Sequence, residues 1–182
     1  SQDIDELKSI ITKLDINNKV KLYINENNLG CYHNKLNSLQ KCSNEWSIIL
    51  DSDNIINTDY LNRLYNIDSW NKNLIYAPSW AQTFPNAPSK YMNYKKYAGA
   101  TITKEIFLSQ FNDIHFTCLM NTCNYFVPTK EFTTCMKQYT YDRHVINSLD
   151  SAVLFSDWLR NNGFVFIVPD MVYKHRLHKD SN

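Results

Sequence analysis

The chain predicts an α/β domain in which amphipathic helices alternate with short apolar strands around a mainly parallel central sheet. Three observations carry that prediction. Stretches of helical and of strand periodicity follow one another along the chain. The run Ile48-Ile49-Leu50 is aliphatic without interruption, as in a strand buried on both faces. Breaking signals such as Asn17-Asn18, Pro128 and Asn162-Gly163 separate the elements.

The bulk numbers agree with one domain spanning 1–182 that can bury a real core. A content of 43% hydrophobic and 14% aromatic residues excludes a disordered chain. The formal net charge is only +1 and no basic stripe stands out, so no nucleic-acid partner is expected. Apolar runs are only a few residues long, which predicts neither a membrane span nor a signal peptide. The five cysteines fit no zinc or disulfide spacing, so they read as reduced, mostly packed thiols in a cytoplasmic protein. With three glycines in the chain, the turns must lean on Asn and Asp, which tolerate left-handed backbone.

Taken in order, residues 4–14 place Ile4, Leu7, Ile10, Ile11 and Leu14 on one helical face. Lys19 to Asn25 alternates strictly and predicts a strand. A turn at Asn27-Asn28-Leu29-Gly30 leads to a helix from about Tyr32 to Lys41 that buries Leu36 and Leu39. The aliphatic strand follows, and then a helix over 59–65, capped by Thr58. Leu74 to Ala77 is a short strand stopped by Pro78, and 79–89 reads as a loop carrying Trp80. Tyr91, Tyr94 and Tyr97 stand at helical spacing, and 121–127 predicts a strand ended by Pro128. Asp150 opens a strong helix to Arg160, and 164–168 is the last buried strand before Pro169.

The chemistry concentrates where the aliphatic strand ends, at Asp51-Ser52-Asp53-Asn54. Two carboxylates beside a buried strand are costly unless a cation or a donor network compensates them. In open α/β sheets the ligand crevice lies just beyond the carboxyl ends of the strands, so an acid-x-acid step there suits a hard divalent ion that in turn holds phosphates. An Asx-rich turn is the plainer alternative. An EF-hand is excluded because Ile55 and Ile56 occupy the places of a ligand and of the turn glycine. A dehalogenase-type phosphatase would place its acid pair early in the chain and follow it with Thr or Val, not Asn54.

Asn28-x-Gly30, a helix, an aliphatic strand ending in Asp51-Ser52-Asp53, the acidic helix start at Asp150 and a His-containing end together resemble a GT-A nucleotide-sugar glycosyltransferase of the inverting family 2 type. The resemblance runs from about residue 1 to 178. Ser1-Gln2-Asp3 resembles the tail of the turn that follows that family's second strand, so its first two, nucleoside-binding strands are expected outside this chain.

The resemblance implies sugar transfer from a nucleoside diphosphate, UDP-hexose by family habit, to a hydroxyl of a glycan, protein or small molecule. It implies Mn²⁺ or Mg²⁺ on Asp53, with Asp51 reaching the ion or the ribose. His175 is the first candidate for an imidazole ligand, and such a ligand favours Mn²⁺. Asp150 is the candidate general base, with an ordinary N-cap as its alternative. Asp157 reads as a solvated helix residue. Asn28, Gly30, Lys35, Ser52, Arg176 and His178 are the donor-binding candidates. Trp80, Asn121, Asn124 and Tyr125 are the candidates for the sugar and acceptor pocket. The rival from another class is a non-catalytic module that binds glycans or nucleotide sugars.

Overall fold

The computed structural model describes residues 2–15, 17–85, 92–120, 124–136 and 150–177. Helices within them are α1 (Gln2–Leu14), α2 (Gly30–Gln40), α3 (Thr58–Tyr65), α4 (Lys104–Ser109), α5 (Ile114–Leu119), α6 (Thr129–Met136) and α7 (Asp150–Arg160). The strands are β1 (Trp46–Ile48), β2 (Leu74–Phe84), β3 (Thr101–Ile102), β4 (Phe126–Pro128) and β5 (Phe164–Arg176).

The α/β class holds, and the sheet has the order β1-β4-β2-β5-β3. It is mixed rather than mainly parallel. The long β2/β5 ladder is parallel, whereas β4 runs antiparallel to both β1 and β2, and β3 antiparallel to β5. Strand alternation divides the core between the two faces. Ile75, Ala77, Val165 and Ile167 point into one cluster with Tyr32, Leu39, Phe132, Leu154 and Phe155 from α2, α6 and α7. Tyr76 and Val168 point into the other, with Tyr60 and Leu64 of α3. There Trp46 stacks on Phe126 at 5.0 Å between ring centroids, and Trp70 meets Phe126 edge-on at 4.7 Å.

Several local expectations change in the folded chain. Residues 19–25 form no strand, although they alternate. None of the described strands lies alongside them, and Val20, Leu22 and Ile24 are exposed. The aliphatic strand occupies an edge of the described sheet, with Ile49 buried but Leu50 exposed. Asn57, not Thr58, caps α3, its side chain accepting from the Tyr60 amide. β2 continues past Pro78 to Phe84, because the parallel register with β5 shifts between Pro78 and Trp80 and the irregularity absorbs the proline. β5 likewise runs on through Pro169 to Arg176, with Asp170 left-handed at φ 55°. Cys31 and Cys42 are exposed rather than packed.

Candidate active site

The acid pair is built by a turn that the sheet clamps from behind. After β1 the chain turns through Asp51, Ser52 and Asp53, and the Asn54 amide donates back to the Asp51 carbonyl at 3.0 Å. Asn54 is buried, its side-chain amide directed to Asn124 Oδ1 at 3.5 Å, and its own Oδ1 accepts from the Arg176 amide at 3.3 Å. Ile55 then forms an antiparallel bridge with Lys174, with backbone bonds of 2.9 and 2.8 Å in the two directions. These links fasten the turn to the end of β5, where His175 sits.

The result is a cleft of about 730 Å³, lined among others by Lys35, Asp51, Ser52, Asp53, Asp150 and His175. That size suits a substantial small ligand. Lys35, from α2, bridges two carboxylates: its Nζ lies 2.8 Å from Asp51 Oδ1 and 2.6 Å from Asp150 Oδ2. It also stands 3.5 Å from Ser151 Oγ. Among the described residues that line the cleft, the carboxylates of Asp51, Asp53 and Asp150 outnumber this ammonium, a balance that suits a cation. Carboxylate oxygens and an imidazole are the donor types that suit Mn²⁺, and the oxygens suit Mg²⁺. The chemistry of the donors therefore fits a divalent ion, although among the described residues no three His, Cys, Asp or Glu side chains close into a coordination cluster.

Beside the cleft, and sharing Cys31 and Asn34 with it, is a hollow of about 580 Å³ lined by Asn25, Asn27, Asn28, Leu29 and Gly30. Here Asn28 Oδ1 accepts from the Gly30 amide at 2.9 Å, and Gly30 takes φ 74°, which explains a glycine at the entry to α2. Asn28 and Gly30 thus stand next to the acid cluster.

The other candidates lie elsewhere. Tyr125 is fully buried, its ring against Phe155 and its hydroxyl donating to the Leu119 carbonyl, so it is a core residue with no surface for a sugar. Asn124 is also fully buried and braces Asn54, while its carbonyl accepts from the Tyr60 hydroxyl at 2.6 Å. Trp80 is outside the lining of the cleft, on β2 opposite Val172, with the Lys95 ammonium 4.5 Å above its ring. Arg176 contributes its backbone amide to Asn54 and its side chain is exposed, outside the cleft lining. His178 and Asn121 lie outside the described residues. Asp157 is not solvated but fully buried in α7. Burial first, and then the charge of Asp157, push the Tyr32 hydroxyl up to about 12.

Reading the sequence missed Asn54 as the clamp and Lys35 as the bridge. The signal for Asn54 was its place directly after the acid pair. Nothing local pairs Lys35 with Asp150.

An α/β domain with an acidic cleft at the end of a strand is compatible with a nucleotide-sugar transferase. Residues 2–130, well over half of the chain, match the family model "Glycosyl transferase family 2". The chain belongs to that family, and its substrates are accordingly a nucleotide-sugar donor and an acceptor. A comparison with curated proteins gives no match. No helix among the described residues is long and apolar enough to cross a membrane.

Proposed function

We propose that this family 2 transferase moves a hexose from a uridine diphosphate donor to an acceptor hydroxyl, with inversion and with the help of a divalent cation. The observation that carries the reading is convergence. Asp51 and Asp53 after β1, Asp150 at the head of α7 and His175 on β5 come from distant parts of the chain and line one cleft. Asp53 and His175 are the residues that would hold Mn²⁺ or Mg²⁺, with Asp51 the third candidate. When bound, the ion supplies Lewis-acid stabilisation of the departing diphosphate.

In this reading Asp150 takes the proton. It opens α7, faces the cleft and is held at 2.6 Å by Lys35. An acceptor hydroxyl entering the cleft would give its proton to this carboxylate as the oxygen attacks the anomeric carbon, while the bond to the diphosphate breaks. Asn28 and Gly30, in the adjoining hollow, are the groups left for the nucleotide end of the donor.

Thermal shift with UDP and a panel of UDP-sugars, with and without Mn²⁺, tests the reading. Wild type is expected to be stabilised by nucleotide only when Mn²⁺ is present, by linkage between binding and folding. Asp53→Ala should lose that dependence. Asp150→Asn should keep it while turnover falls on the order of 10²- to 10⁴-fold. A wild-type protein with no Mn²⁺-dependent shift for any donor, or an Asp53→Ala variant that shifts like wild type, overturns the assignment.

A further inference from the structure

We propose that Lys35 is a positioning residue for Asp150 rather than a contact of the donor. The inference rests on the reading of Asp150 as the base and deepens it. Lys35 lies on α2, one turn and a half from the Asn28-Gly30 entry, and the donor-binding role expected from sequence would have its ammonium pointing to phosphate. Instead the ammonium is already engaged on two sides. It reaches Asp51 Oδ1 at 2.8 Å, at the exit of β1, and Asp150 Oδ2 at 2.6 Å, at the first position of α7. The side chains of Lys35 and Asp150 are only 14% and 16% exposed, so water screens this pair weakly compared with a surface ion pair.

Consider what happens without that ammonium. Asp51 and Asp150 would face one cleft as two like charges with their shared counter-charge gone, and each would turn to seek water or a cation elsewhere. Asp150 belongs to the first turn of α7, where a carboxylate can also fold back onto its own helix amides as a cap. Such a cap would draw it away from an incoming hydroxyl. Lys35 therefore selects between two places for the same carboxylate. It also joins α2, the turn after β1 and the head of α7 at one point, where Ser151 Oγ lies 3.5 Å from the same Nζ.

Lys35→Met and Lys35→Arg separate positioning from donor contact. With UDP-glucose and Mn²⁺, Lys35→Met should lower kcat on the order of tenfold to a hundredfold, the scale of a misplaced reacting group, with KM changed less than about threefold. Its affinity for UDP by calorimetry should stay within the same limit. Lys35→Arg, which keeps the charge, should recover part of kcat. A variant with normal kcat but KM and UDP affinity weakened tenfold would make Lys35 a donor contact and overturn the proposal. Crystal structures of wild type and Lys35→Met decide the positioning even without turnover. A displaced Asp150 carboxylate supports it, and one found in the same place sinks it. Failure of the base reading is seen separately, as undiminished turnover in Asp150→Asn.

Discussion

Asn54 illustrates how a residue can shape a site without taking part in its chemistry. Its amide group spans from the acid turn to Asn124 on one side and to the backbone of β5 on the other. Buried amides keep this role because an unmade hydrogen bond there is costly. Tyr125 makes the same point from the opposite direction, since an aromatic beside polar residues near the site turned out to be a pillar of the core. Its ring packs against Phe155 and its hydroxyl is satisfied by the Leu119 carbonyl. Tyr125→Phe is therefore expected to cost about 1 kcal/mol of stability, the net worth of one buried hydrogen bond. It should leave UDP affinity unchanged. Urea denaturation and calorimetry read the two effects, and a large loss of affinity at unchanged stability would return Tyr125 to the binding site.

At the scale of the element, β5 decides where His175 goes. Val168 points into the same cluster as Met171 and Tyr173, although an uninterrupted strand would send Val168 and Met171 to opposite faces. The irregularity at Pro169 and left-handed Asp170 inserts the change of parity, and His175 follows the parity of Met171 and Tyr173. Bulges re-aim side chains in this way. The join between α7 and β5 is similarly constrained. Gly163 donates to the Trp158 carbonyl at 3.0 Å, and the Trp158 indole N–H donates to the Phe164 carbonyl at 2.8 Å. A Cβ on Gly163 would overlap the Trp158 ring, which is almost fully buried and cannot swing aside freely. Gly163→Ala should thus destabilise by roughly 1–3 kcal/mol through overpacking. A thermal melt within error of wild type would mean that the indole gives way.

For the molecule as a whole, the helices on one face surround one buried carboxyl group, that of Asp157. Asp157 of α7 acts on Tyr32 of α2 and on Cys135 of α6, and both groups are raised, each chiefly by burial. Tyr32 stands at about 12 in the folded chain against an ordinary 10.0. Below pH 10 the hydroxyl is protonated in both states, and this contribution to stability is fully present. Between 10 and 12 the unfolded chain releases the proton while the folded one keeps it, so stability falls as pH rises. Burial raises Tyr76 as well, which adds to the same trend. Urea midpoints measured from pH 8 to 11 should decline, and Tyr32→Phe should make the decline shallower. An unchanged slope in that variant would remove Tyr32 from the account.

What was legible in the chain alone was whatever depends on neighbours a few residues away. Helical spacing and turn residues sufficed to find α2, α3 and α7, with Asp150 at the head of α7. They also put the acid pair at the exit of a strand. Tertiary structure alone decided that β4 inserts antiparallel between β1 and β2, that Tyr125 and Asp157 go inside, and that Lys35 meets Asp150. Those outcomes join residues far apart in sequence, 116 positions for Lys35 and Ser151. Local periodicity tells which side of an element is apolar, but only packing the elements together determines what that side, or its polar end, will face.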